Sequence, residues 1–538
     1  MGTQVKLKLL CCLVLLACLG TICMFVPASK AQLPDKTRNP NTANEGINKS
    51  LEQQIGRGRG NVNTPDSSAF IIARDPFRAV RRGRQLFQRK FLRSQGFGPI
   101  TGEGDGKTDI ETDLIIGAGL ADSCAACHGR PRGSAGFGGD VVTRPDSRDA
   151  PHLFGLGLKE MLADEITTDL RNIRAQALTQ ARIQARNVTA TLTSKGISYG
   201  SITARPNGTV DTAGVRGVNA DLRVRPFFLH GETISIREFL VGAFNAEMGL
   251  EAVDPDLLAA DRGSRVVTPS GMVLDGRFDN IEGPPAANES DDPDGDGFPN
   301  EIPTSLVDFM EFYLLHYFKA GTGENSGEAI DGKNQFVALG CAACHVPDLT
   351  INRDRRVADV ETVFDPVRGN PINPMFATAS AFFTAVNDGS GHPALKRPNF
   401  GGFVVRNIFT DFKRHNLGPN FHERNFDGTL RTEFLTTPLW GVGSTGPYGH
   451  DGRSMTLKDV ILRHGGEAQQ ARDRFANAGV GTQRNIIMFL NTLMLFPPDD
   501  TASNLPGGAA VSSTPGYPQF GHGSIRLAGL FNDPFDLE

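Results

Sequence analysis

Two copies of one pentapeptide constrain this chain more than any other feature. Of its eight cysteines, Cys11, Cys12, Cys18 and Cys23 fall in an apolar N-terminal leader. The other four make up Cys124-Ala125-Ala126-Cys127-His128 and Cys341-Ala342-Ala343-Cys344-His345, with no thiol left over. Two thiols three positions apart on a turn can each form a thioether to one vinyl edge of a porphyrin, and the following histidine then offers its imidazole to the iron. Structural zinc would want four ligands in one cluster, whereas these pairs lie far apart and each carries its own histidine. A redox Cys-x-x-Cys pair expects a βαβ context and has no use for an obligatory histidine. A disulfide between cysteines three apart leaves the repeated histidine unexplained. The residues therefore predict two covalently bound c-type haems, with His128 and His345 as axial ligands.

The leader points the same way. Lys6 and Lys8 precede an almost unbroken apolar run from Leu9 to Val26, and Ser29-Lys30-Ala31 offers small residues just before Gln32. This predicts a secretory signal peptide over 1–31 and a periplasmic or secreted protein. Two alternatives stay open: Leu15-Leu16-Ala17-Cys18 loosely fits a lipoprotein cleavage box, and the run is just long enough to persist as a membrane anchor. Loss of the leader lysines takes the net charge from −5 to −8, so no nucleic-acid partner is expected. With 62 Gly and 33 Pro among 538 residues the chain is loop-rich, yet its 39% hydrophobic content is that of a globular protein. That balance excludes a polytopic membrane protein, a collagen-like repeat and a fully disordered chain.

Between the motifs the apolar spacing predicts a mainly α-helical fold of two haem-binding units, with long irregular loops and a few short strands. Residues 32–75 are polar and aperiodic and are expected to form a flexible lead-in. Helices are expected over 78–96, 156–175, 234–248 and 305–319, and a hairpin over 197–209 turned by Pro206-Asn207-Gly208. Gly321-Thr322-Gly323 divides an N-terminal unit (76–320) from a C-terminal one (321–500), and 501–538 reads as an irregular tail. Asp292-Pro293-Asp294-Gly295-Asp296-Gly297-Phe298-Pro299-Asn300-Glu301 sets acidic oxygens at alternate positions around a glycine, the pattern of a calcium loop. Asp292, Asp294, Asp296, Asn300 and Glu301 are its candidate ligands. The twelve-residue EF-hand pattern fails at Pro303, and a plain acidic turn stays open beside a structural calcium clip.

The second half carries a resemblance. Thr437-Pro438-Leu439-Trp440-Gly441, Gly446-Pro447-Tyr448-Gly449-His450-Asp451-Gly452-Arg453 and Thr456-Leu457-Lys458-Asp459-Val460-Ile461 resemble the bacterial di-haem cytochrome c peroxidase superfamily. More closely they are similar to its di-haem oxidoreductase branch, also called thiol oxidoreductase-like. Asp149-Ala150-Pro151-His152-Leu153-Phe154-Gly155, Asp411-Phe412-Lys413-Arg414-His415-Asn416-Leu417-Gly418 and Gly465-Gly466-Glu467-Ala468 fit that branch too. The likeness runs from about 78 to 497.

The resemblance implies two cytochrome c-like domains that divide the work. In the family the sixth ligand of the C-terminal haem lies fourteen positions after the histidine of the His-Asp-Gly motif, which from His450 is His464. The peroxidases proper have methionine there, so the chain departs toward a bis-histidine iron held by His345 and His464, with a lowered reduction potential. By itself His464 also reads as an exposed helix-end histidine. His450 and Arg453 are implied to hydrogen-bond near that haem, Arg453 to its propionates, and His415 is similar. His152 is implied to be structural, and the N-terminal haem, on His128, to be the reactive one. The family's distal acid precedes a methionine, and Asn245-Ala246-Glu247-Met248 looks similar at a shortened spacing. Glu247 is the implied general acid/base, against the plainer reading of a surface glutamate. The tryptophan that the family commonly places between the haems is missing from Pro226-Phe227-Phe228-Leu229-His230-Gly231, and Trp440 reads as core packing.

Three activities follow as expectations. The first is peroxide reduction at the N-terminal haem, with electrons relayed by the C-terminal one from a small donor protein such as a cytochrome c or cupredoxin, and a small-molecule oxidant as substrate. The second is oxygenase cleavage of a polyisoprene-like substrate at the same haem. The third is a non-catalytic carrier in which both irons are six-coordinate.

Overall fold

The computed structural model describes residues 50–74, 76–98, 121–129, 135, 150–317, 320, 326–356, 402–424, 428–495 and 525–526. It also describes the backbone of the strands Asp359–Phe364, Met375–Ser380, Thr384–Asn387 and Pro393–Lys396. The predicted leader, the start of the lead-in and all of the tail but 525–526 lie outside these residues.

The architecture is mainly helical. In the first half run α1 (Leu51–Ile55), α2 (Ser68–Arg74), α3 (Pro76–Gln88), α4 (Cys124–His128), α5 (Leu156–Gln184), α6 (Ile236–Met248), α7 (Pro255–Asp261) and α8 (Thr304–His316). The second half adds α9 (Gly327–Ala338), α10 (Leu457–Arg463), α11 (Gln469–Ala476) and α12 (Val480–Asn491).

Helix α8 is the axis of the first half. Apolar residues lie all round it, so it is buried from Ser305 to His316, with α2, α3, α5 and α6 packed about it. Its two acids, Asp308 and Glu311, are buried and therefore need a cation. Arg237 of α6 supplies it, 2.9 Å from Asp308 and 2.8 Å from Glu311, with Asp254 a further 2.7 Å contact. Gly157 lets α5 lie close to this axis, because a Cβ there would strike the Leu315 carbonyl.

Helix α5 runs nine residues past the expected end at 175. Its extension buries Ala177 and Ala181 under a three-stranded meander, β1 (Val188–Ser194), β2 (Ile197–Ala204) and β3 (Val210–Asp211). The predicted turn at 206–208 joins β2 to β3, with Gly208 at φ 90°. The longer partner of β2, however, is β1, upstream of the expected hairpin.

The expected flexible lead-in is corrected where it is described. Residues 50–74 form α1 and α2, bury Ser68 and Ile71, and are tied to the α8 cluster by Arg59, which pairs with Asp256 and approaches Asp308 to 3.7 Å. Long-range ion pairs of this kind leave no periodicity in a polar stretch.

Two apolar cores result. The larger gathers the helices around α8, yet it also takes in Leu349, Ile351, Val405, Ile408, Phe412, Trp440 and Leu495 from the second half. The smaller joins Phe336, Phe409, Leu457, Phe475, Ile486 and Phe489 between α9 and α12. The strand Leu349–Ile351, paired with Phe403–Val405, carries the second half onto α5.

Candidate functional site

Each pentapeptide sits on a short turn that its sequence specifies. Ser123 caps α4 by accepting from the Ala126 N–H at 3.1 Å, and His128 ends that helix. The second copy begins as a 3₁₀ turn, Cys341–Ala343, entered through Gly340. None of the four cysteines is in a disulfide. Burial pushes the Cys124 thiol up to about 12, with Cys127 adding to it, and pushes Cys341 up to about 11. A redox dithiol needs the opposite, a thiol lowered toward neutrality.

The histidines share one bonding pattern. His128 Nδ1 lies 2.8 Å from the Pro151 carbonyl, His345 Nδ1 3.2 Å from that of Phe409, and His464 Nδ1 2.7 Å from that of Val460. A carbonyl only accepts, so each Nδ1 carries the proton and each Nε2 keeps a lone pair for a metal. Phe409 holds its carbonyl in place from the left-handed region, at φ 54°. His316 makes the same bond, to Phe312, but it is buried in α8 and takes no part in the site.

Both pentapeptides open onto one cavity of about 1070 Å³. Single small-molecule pockets run to roughly 300–1,000 Å³. Cys124, Cys127 and His128 line one part, and Cys341, Cys344 and His345 another, with His464 and His450 on the wall. Burial first, and His464 second, hold His345 down at about 4; burial likewise lowers His464. The expected bis-histidine pair is thus brought together.

On the N-terminal side Glu247 lies on the wall, at the end of α6. Its carbonyl accepts from the Ala121 N–H at 3.3 Å, and the Met248 carbonyl from Gly98 at 3.0 Å, which pins the helix end against the chain leading to the first motif. His152, the nearest other histidine, is fully used. Its Nε2 donates to the Trp440 carbonyl at 2.6 Å and its Nδ1 accepts from the Phe154 N–H at 3.2 Å. It therefore has no lone pair for iron. Residues 130–134 and 136–149, which follow the first motif, lie outside the described residues.

His152 also completes a strap. From His128 it runs through the Pro151 carbonyl to His152, across to Trp440, back along the chain to Leu439, over the 3.1 Å bond from the Leu439 N–H to the Ile408 carbonyl, and through Phe409 to His345. Trp440 is buried on the cavity wall, its ring against Gly155, which sits at φ 70° and has no room for a Cβ.

Not every expected residue is at the site. Arg453 is corrected: its side chain is 72% exposed, 3.5 Å from Asp451 and off the cavity wall. Arg463 takes Asp451 instead, donates to the Asn420 carbonyl at 2.8 Å and lies 4.3 Å above the Phe421 ring, whose edge meets His464. His450 stacks on Phe434 at 3.8 Å with its Nε2 3.1 Å from Glu423. His415 bonds Asp411 at 2.9 Å and Glu467 at 2.8 Å. Burial opposes its charge, but Asp411 foremost raises it to about 11, so it holds a proton on both nitrogens. Cys344, Asp411 and His415 lie within 4.8 Å of one another, but an imidazolium cannot ligate a metal.

Lys159 and His230 carry no sequence signal, yet both reach the wall. Burial lowers Lys159 to about 8, and among the described residues it has no carboxylate partner. His230 holds Glu232 at 2.9 Å and leaves its Nδ1 buried without a partner. This ammonium, half-buried and 5.5 Å from the Phe227 ring centroid, suits a carboxylate such as a haem propionate. Two Cys-x-x-Cys pairs outside any disulfide, the imidazoles of His128, His345 and His464 each turned by an Nδ1–carbonyl bond, and this ammonium together fit haem.

These features are those of a cavity fit for haem at both motifs. Residues 372–493 match the family described as "Di-haem oxidoreductase, putative peroxidase". That segment is thus similar to the di-haem oxidoreductases, and it contains His464 and the Thr437–Ala468 block, though neither Cys-x-x-Cys-His motif. No curated protein sequence matches the chain. Among solved structures, hydrazine synthase from Kuenenia stuttgartiensis aligns over 81% of this chain and 94% of its own at 13% identity, with a TM-score of 0.30. A likeness of that size carries no argument.

Proposed function

We propose that the chain is an exported di-haem c-type oxidoreductase that reduces peroxide at the haem of Cys124, Cys127 and His128, with electrons relayed by the haem of Cys341, Cys344 and His345. The carrying observation is an asymmetry. Both motifs open on one cavity, but among the described residues only His345 faces a second imidazole placed to ligate, and the wall near the first motif bears a carboxylate, Glu247. Haem iron with one open coordination position supplies two-electron reduction of a bound oxidant. The chain supplies the rest.

His128 would hold the haem iron through Nε2, and its bond to the Pro151 carbonyl makes that nitrogen more basic. Glu247 takes the proton from the near oxygen of peroxide and returns it to the leaving oxygen. Such a group contributes roughly 10²–10⁴ in rate. His345 and His464 would together hold the other haem iron, which would then supply electron exchange without binding substrate. The strap through His152 and Trp440 replaces the missing inter-haem tryptophan as the bonded route between the two proximal histidines. A small donor protein such as a cytochrome c or cupredoxin delivers the electrons.

The test is carbon monoxide binding to the reduced protein, followed by peroxide-dependent oxidation of a small reduced cytochrome. One equivalent of bound carbon monoxide for two haems, with turnover, is expected. No binding at either haem overturns the reading in favour of a carrier. Oxygen uptake with a polyisoprene-like substrate, and no peroxide turnover, overturns it in favour of an oxygenase.

A further inference from the structure

The acidic loop at 292–301 plays no part in the haem reading. Its carboxylates are organised: Asp292 accepts from the N–H groups of Gly295 (2.9 Å), Asp296 (3.1 Å) and Gly297 (3.0 Å), and Asp296 accepts from Phe298 at 2.8 Å. Hydrogen bonds inside an acidic turn do not make a metal site, since such turns form in water without one. What singles this loop out comes from elsewhere in the chain.

Glu251, three residues past the end of α6, is 3% exposed and brings its carboxylate to the loop. Glu251, Asp292 and Asp294 present oxygens that all lie within 4.8 Å of one another. Glu251 Oε2, Asp294 Oδ2 and Asn300 Oδ1 are buried with no hydrogen-bond partner. Among the described residues no lysine or arginine pairs with Glu251, Asp292, Asp294, Asp296 or Glu301. Burying a carboxylate beside two others with no cation is unfavourable, so the cluster favours a bound positive ion.

We propose that Glu251, Asp292 and Asp294 bind one calcium ion. Calcium takes 6–8 oxygens at about 2.3–2.6 Å, so ligands on opposite sides of one ion stand roughly 5 Å apart, as these oxygens can. Flexible loop carboxylates suit it better than the rigid octahedron that magnesium demands. Glu301 holds the Glu251 N–H on Oε2 at 2.5 Å, and its Oε1, likewise buried with no hydrogen-bond partner, lies against Gly96. Asp296 braces the turn through Phe298. The ion clips the loop to the chain just beyond Glu247, and thereby holds the end of α6 against the segment that enters α8.

The experiment uses the full haem-loaded protein, stripped with EDTA and titrated with calcium chloride by calorimetry, with thermal unfolding followed in parallel. One calcium per chain and a raised Tm are expected, and Glu251→Gln and Asp292→Asn should each weaken binding by roughly 10–100-fold. No calcium uptake by the unaltered chain overturns the proposal, as does unchanged affinity in both variants. Should Glu251→Gln fail to fold, Asp294→Asn, in the half-exposed loop, takes its place under the same criteria. Pyridine haemochrome counts of two per chain in every variant keep this result separate from the haem reading.

Discussion

Three side chains carry the sharpest expectations. On the proposed reading His464→Ala removes an axial ligand of the C-terminal haem, so the reduced protein should bind a second equivalent of carbon monoxide. In His464→Met that haem should stay low-spin with a raised potential, since a thioether favours the reduced iron. Redox titration with optical detection checks both. Glu247→Gln should lower peroxide turnover by roughly 10²–10⁴ at unchanged haem content, because only the proton carrier is lost. His152 gives a pH signature. Burial holds it down at about 4 against an ordinary 6.5. Below pH 6.5 the unfolded chain takes up a proton that the folded one refuses, so stability should fall as pH drops from 6.5 toward 4 and be flat above. Urea midpoints at pH 7 and pH 5 measure it, and His152→Gln should flatten the difference. Cys124, His128, His345 and His464 were all legible from spacing or resemblance. Arg463, Lys159 and His230 were not, since a single charged residue declares its place only when the fold surrounds it.

At the scale of the elements, helix placement decides which residues reach the cavity. Helix α10 starts at Thr456, whose hydroxyl accepts from the Asp459 N–H at 3.1 Å, and it ends at His464. Helix α5 starts at Gly155, where a left-handed backbone and the Trp440 ring leave no room for a Cβ. Gly155→Ala should cost about 1–3 kcal/mol from the collision alone and shift Trp440. Thermal unfolding and tryptophan fluorescence, from the chain's one Trp, would register both. Helices α3, α5, α6 and α8 were legible because an apolar stripe at helical period survives in sequence. The exposed end of α5 was less so, for only Ala177 and Ala181 mark its buried side. Helices α1 and α2 escaped because ion pairs and a cap hold them, not a stripe.

Across the whole molecule, the two halves are joined through their interior. The second half contributes Trp440, Ile408 and Phe412 to the first half's core, and the His152 strap runs through that joint. His152→Leu removes the bond to the Trp440 carbonyl, so electron exchange between the haems should slow while both Soret bands remain. Reduction of the haem-loaded protein by a laser-generated electron donor, followed at the two haem bands, measures the rate; an unchanged rate would remove the strap from the route.

Taken alone, the sequence determined the local chemistry: two Cys-x-x-Cys-His turns, the helices with a periodic apolar face, and an acidic loop spaced for a cation. These follow from spacings of a few residues, which the backbone enforces wherever the segment lies. Only the tertiary structure decided that both turns share one cavity, that Arg453 faces solvent while Arg463 braces His464, that His152 is spent on Trp440, and that Glu251 stands over the loop. Each of those is a contact between segments far apart in the chain, set by how buried surfaces pack and how buried charges find partners.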